Sequence, residues 1–340
     1  MENLTAINPI EYVTDVYRGY FCPVISILGI LGNIFIIFTF AYNFNNKFVI
    51  YCCALALYNS FALLTNTFLD DFLGRGLGFL TKNKFSIKIE ELCQGSCLFM
   101  EYVPNVMYFA SSYVMVAFSL DRMLVLALPI KYSPYRGYRY TIFICLAVGV
   151  MGAIVAGPLL FSYSLEKTNA NSTEMSCQMI NSKMVTFGLY LKSLVIFVIP
   201  TVFVASFNIV IYCLLLQTKK RRQNLSSRKT NRGSSSEMGR IVAHLALSTV
   251  FLLLTIPLSI TIILRLIIKK NSLYNYSYSY KNNVIHLTKL LSSIKDLSYA
   301  VNFFLYLIFI PSFKYEFFSI FKYQPRHQQI NNGNSISLRS

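Results

Sequence analysis

Apolar residues gather along this chain into seven runs, separated by short stretches where charged and polar residues concentrate. The runs cover about 20–42, 49–69, 97–128, 140–161, 187–216, 239–268 and 286–310. Roughly 20 apolar residues span a bilayer, and no water is present there to satisfy backbone N–H and C=O groups, so each run is expected to be an α-helix that closes its own hydrogen bonds. The pattern predicts an all-α membrane protein: a transmembrane bundle of seven helices preceded by polar residues 1–19. Residues 70–96 are expected to form a polar loop. After Pro311, Phe313, Phe317 and Phe321 recur at helical spacing, which predicts a short amphipathic helix over 311–323 on the inner leaflet. A polar tail, 324–340, follows.

Inside the runs a few polar and helix-breaking residues stand out. Gly29 and Gly32 allow a close helix contact, and Asn33 and Asn59 are amides that should face other helices rather than lipid. Pro200 and Pro257 interrupt the fifth and sixth runs. The third run ends in Asp121-Arg122-Met123, an ionisable pair at a membrane boundary. Such a pair costs free energy unless it is partnered or reaches water, which makes it a functional candidate; an interfacial anchor with Arg122 snorkelling to lipid phosphates is the alternative.

Composition agrees with the pattern. The 340 residues are 55% hydrophobic and 13% charged, against about 25% charged in soluble chains. The net charge of +17 does not point to nucleic acid, because the basic residues sit between apolar runs. Lys47, then Lys131, Arg136 and Arg139, then Lys219-Lys220-Arg221-Arg222 occupy the loops of one face, which the positive-inside rule assigns to the cytoplasm. The amino terminus is then outside, and the first run serves as its own insertion signal in a multi-pass plasma-membrane protein. Sequons at Asn3, Asn171 and Asn275 fall on the outer face as glycosylation sites, whereas the one at Asn224 falls inside.

Of the cysteines, Cys93, Cys97 and Cys177 lie on the oxidising face. A bridge from Cys97 to Cys177 would pin the second outer loop over the bundle and stabilise by roughly 4 kcal/mol, with Cys93 a competing partner. His244, His286 and His327 are scattered and make no metal site, and no nucleophile motif or phosphate loop is present, so neither an enzyme nor a cofactor is expected. A transporter would show internal repeats and paired broken helices, and neither is found.

In order along the chain, these features resemble the rhodopsin-like family of G-protein-coupled receptors. Gly32-Asn33 resembles its first-span signature and Leu55-Ala56-Leu57-Tyr58-Asn59 its second. Asp121-Arg122-Met123 is similar to its D/E-R-Y triplet, and Asn302-Phe303-Phe304-Leu305-Tyr306 to its N-P-x-x-Y motif. Pro200 and Pro257 match its fifth- and sixth-span prolines, and Phe251 its aromatic switch. The resemblance implies the Cys97–Cys177 disulfide, an extracellular ligand, and a heterotrimeric G protein, with arrestin and receptor kinases as further partners.

It also implies coupling roles for Asp121, Arg122, Phe251, Pro257, Asn302 and Tyr306, and a resting-state partner for Arg122 in Glu237. Asn59 stands where the family has a sodium-site aspartate, beside Ser111, and Thr255 where it has a tryptophan, so sodium binding is not expected. The NF-x-x-Y form and short loops are similar to invertebrate FMRFamide-like neuropeptide receptors, with chemosensory receptors the alternative. Pro104 stands where amine receptors carry an acid. Asp296 stands where opsins carry the retinal lysine, with Lys295 expected to point elsewhere. This leaves Glu101, Pro104, Lys192 and Asp296 as the expected peptide contacts, the acids receiving a cationic group; an internal Glu101–Lys or Asp296–Lys ion pair is the alternative.

Overall fold

The computed structural model describes residues 8–41, 46–82, 84–128, 137–167, 175–180, 190–224, 232–270 and 278–321. α1 runs Pro9–Phe40, α2 Lys47–Leu80, α3 Gln94–Ala127 and α4 Tyr138–Phe161. α5 covers 191–224, α6 is Arg232–Lys270, α7 covers 278–309 and α8 is Pro311–Phe321. A hairpin of β1 (Tyr163–Lys167) and β2 (Met175–Met179) lies between α4 and α5. Six of these helices are long and apolar enough to cross a membrane. The count is seven when Ser279–Phe309 is taken with the segment Pro311–Ile320, bent 101° from it.

Two helices overrun their expected spans by more than ten residues. α1 begins at Pro9, not near Tyr20: Asn8 caps it by accepting from the Ile10 amide at 3.0 Å, and proline is preorganised for a first helical position. Residues 9–19 therefore belong to the bundle and not to a polar leader. α2 continues to Leu80, so much of the expected loop 70–96 is helical. The charges that suggested a loop are paired instead, Arg18 Nε with Asp71 at 2.9 Å and Arg75 with Asp70 at 3.1 Å. Over Leu63–Gly76 α2 widens to i→i+5 bonding, as α1 does at Tyr17–Phe21 and α5 at Leu191–Val198. In α5 this wide stretch directly precedes Pro200, whose ring would clash with the carbonyl one α-turn back.

The buried residues form an inner cluster around Phe48, Tyr51, Phe118, Leu247, Phe251 and Tyr306, and an outer one around Tyr108, Phe197, Leu258 and Tyr299. α1 meets α7 at close range: a Cβ at Gly29 would lie 2.7 Å from that of Ala300, and one at Gly32 2.9 Å from that of Phe303. Asn33 faces inward, donating to the Tyr299 carbonyl at 3.2 Å. α8 sets Phe313 and Phe317 against Phe40, Phe35 and Phe303 and exposes Tyr315, Phe318 and Ile320. Its amphipathic character is as expected, with one face clamped to the bundle.

Candidate ligand cavity and coupling face

The outer halves of α1, α2, α3, α5, α6 and α7 surround a cavity of about 240 Å³. The hairpin is held above it. Cys177 is bonded to Cys97, with the Cα atoms 5.6 Å apart, and Cys93 is free. Gln94 clasps β1 through both amide atoms, donating to the Tyr163 carbonyl at 3.3 Å and accepting from the Leu165 amide at 2.7 Å. Cys93 caps α3 with Ser96, whose side chain and amide hold its exposed thiol below the ordinary range.

Glu101 and Pro104 line the cavity. Burial, together with the neighbouring Glu101 carboxylate, pushes the Tyr163 phenol above its usual range. One turn deeper, Asn105 is 2% exposed and donates to the Glu101 carbonyl at 2.6 Å, while its own Oδ1 accepts nothing. A buried carbonyl-type oxygen left unpaired costs about 1–3 kcal/mol, and Asn105 lines the cavity. This residue escaped sequence analysis, although its spacing from Glu101 puts both on one face of α3.

Asp296 does not line the cavity. It is fully buried beneath it, where its Oδ2 accepts from Asn66 at 2.9 Å, Thr67 at 2.9 Å and Tyr108 at 3.1 Å. Lys295, expected to point elsewhere on the helix, instead places Nζ 3.1 Å from Asp296 Oδ1, because α7 breaks between Lys295 and Leu297 and loses regular helical phase. The ammonium also donates to Tyr299 OH at 2.9 Å and lies 3.5 Å from the Tyr108 ring centroid. Asn66, Tyr108 and Phe197 both line the cavity and touch this pair, so the floor of the cavity is the roof of a buried ion pair. The Lys192 side chain lies outside the described residues, as do the sequons at Asn3, Asn171 and Asn275.

At the other end, Arg122 is wholly buried and donates to Asp121 at 2.6 Å; Lys47 Nζ lies 3.5 Å from the second Asp121 oxygen. The guanidinium lies 5.6 Å from the Phe48 ring and 5.7 Å from the Phe118 ring, a placement suited to cation–π attraction. Tyr306 is buried against Phe48, Asn302 is buried one turn away on the same helix, and Phe251 packs in the same inner cluster as Phe48 and Tyr306. Pro257 lies inside α6. The side chain of Glu237, expected to partner Arg122, lies outside the described residues. Ser111 donates to Asn59 Oδ1 at 2.5 Å, closing the mid-membrane polar position on itself. Among the described residues no group of His, Cys, Asp or Glu is arranged to hold a metal ion.

The architecture is that of a receptor: a stapled outer cavity and, at the far end of the same long α3, a buried acid–arginine pair. No curated protein matches the chain in sequence. The family described as 7 transmembrane receptor (rhodopsin family) matches residues 32–306. The chain belongs to this family of G-protein-coupled receptors, and is a multi-pass membrane receptor for an extracellular ligand and not an enzyme.

Proposed function

We propose that the protein is a plasma-membrane receptor, amino terminus outside, for an extracellular peptide of the FMRFamide-like neuropeptide kind. Ligand binding activates a heterotrimeric G protein, and arrestin and receptor kinases act on the same cytoplasmic face. The reading is supported above all by Asn105, whose buried, unpartnered Oδ1 calls for an N–H donor, a group that every peptide backbone supplies. Glu101, one turn above it, offers a carboxylate for a cationic side chain. Two pre-existing helix arrangements are biased by the ligand's differential affinity for them.

The test is a peptide-library screen on cells displaying the receptor, read by calcium and cyclic-nucleotide reporters. A peptide response that falls strongly in Glu101→Gln and Asn105→Ala at matched surface display is expected. Activation by small volatile compounds, with peptides inert, would replace the peptide reading with the chemosensory one.

A further inference from the structure

We infer that the ligand carries a carboxylate, received at the rim of the cavity by Arg265 of α6 and Lys289 of α7. The inference rests on the peptide reading above and adds to it the chemistry of a second contact point.

Seven charged side chains face the cavity. Asp71 is bonded to Arg18 at 2.9 Å, with both side chains under a tenth exposed, and Asp70 to Arg75 at 3.1 Å. These pairs cancel one another and join α1 to α2 and one turn of α2 to the next. Three charged groups on the wall are then left: Glu101, Arg265 and Lys289. Glu101 lies beside the Tyr163 hydroxyl. Arg265 and Lys289 form no ion pair among the described residues; of the acids of α1, Glu11 sits against His286 at 3.6 Å and Asp15 acts on Lys289 only at longer range. The unpaired part of the wall thus has two cations and one acid.

Those charges are divided between opposite helices. The acid and the donor-seeking Asn105 are on α3, while both bases are on α6 and α7. A cleft with charged walls and low-dielectric surroundings focuses its field on whatever enters. A guanidinium and an ammonium on neighbouring helices repel each other until an anion lies between them, and a planar carboxylate suits the arginine fork. A peptide that offers N–H groups to Asn105 and a carboxylate to Arg265 and Lys289 satisfies both sides in one pose. Because an FMRFamide-like peptide ends in an amide, the carboxylate is expected from an Asp or Glu side chain ahead of that terminus, with a free carboxy terminus the other source.

Three synthetic peptide pools distinguish these sources on cells displaying an epitope-tagged receptor: free-acid peptides lacking Asp and Glu, amidated peptides containing one Asp or Glu, and amidated peptides containing neither. Activity in the first or second pool and none in the third is expected, and the active pool names the source. For the active peptides, Arg265→Gln and Lys289→Gln should each lower potency about tenfold or more, while Lys289→Arg retains most of it. Both side chains are exposed, so these variants should reach the surface, which the tag measures.

Equal activity in the third pool, or potency within about twofold of the parent in the double variant Arg265→Gln/Lys289→Gln, overturns the carboxylate contact and leaves the peptide reading standing. Silence in all three pools, with ligand-free signalling intact, overturns the peptide reading and this inference with it.

Discussion

Lys295 and Asp296 give the sharpest test of the physical reasoning. Both are buried, at 1% and 0% exposure, and their charged atoms are 3.1 Å apart. With an effective dielectric of about 20, Coulomb attraction at that distance is about 5 kcal/mol, set against a desolvation cost of similar size. The pair as a whole therefore adds little net stability, but each member alone is costly. Lys295→Met leaves the Asp296 charge with hydrogen bonds from Asn66, Thr67 and Tyr108 but no cation. Asp296→Asn leaves an ammonium among the Tyr108, Phe197 and Tyr299 rings.

Each single variant should lose about 3–5 kcal/mol, and the double variant no more than either single, well short of the sum of about 6–10 kcal/mol, so that the coupling is about 3 kcal/mol or more. The assay is the fraction of detergent-solubilised receptor that stays monodisperse after heating, with Lys314→Met, at an exposed position of α8, as the control. If Lys295→Met melts like Lys314→Met, or if the two single losses simply add, the pair is not the coupled element described here. Because Asn66, Tyr108 and Phe197 also form the cavity floor, both single variants should change ligand-free signalling as well.

Three further outcomes are expected. Cys97→Ser and Cys177→Ser should each abolish surface display or ligand response, a loss on the order of 4 kcal/mol for a closed loop of this length; Cys93→Ser, which removes only a cap, should be mild in the same display assay. Replacing sodium with a large organic cation at fixed ionic strength should leave ligand affinity unchanged within about twofold, because Asn59 has no carboxylate to offset sodium desolvation and its Oδ1 is already occupied by Ser111; a several-fold shift in a binding assay would contradict this. Glu237→Gln should raise ligand-free signalling about fivefold if it releases an ion pair worth ~1 kcal/mol, whereas Arg122→Ala should remove signalling and spare binding; unchanged basal signalling at matched display would return Glu237 to a helix-start role.

The bundle was legible because lipid contact leaves long apolar runs. The same criterion is blind to helix that stands clear of lipid. Pro9–Val16 and 70–80 carry acids and bases that look like loop until a partner helix supplies the counter-charge, and that partner is known only once the bundle is assembled. Cys97 and Cys177 could be paired on the family resemblance, since the bridge depends on two thiols on one face. The role of Asp296 was half legible: an internal Asp296–Lys pair stood beside the ligand-contact reading, but regular helical phase pointed Lys295 elsewhere, and only the break in α7 swings it against Asp296. Glu101 was readable as an acid inside a span. Asn105 was not, since an amide becomes informative only when its partners are counted.

The outer turn of α1 is also fastened to α7, far away in sequence. Asn8 donates to Asn283 at 2.7 Å, and Glu11 lies against His286. The bundle is thereby closed into a hoop at its outer rim, with the first and last spans hooked together. Any tilt of the upper part of α7 must pull the start of α1 with it or break the hook. A dye or a nanobody attached ahead of Asn8 would then act as a pointer on α7, reporting receptor state from the end of the bundle that holds the cavity while leaving the cavity itself untouched.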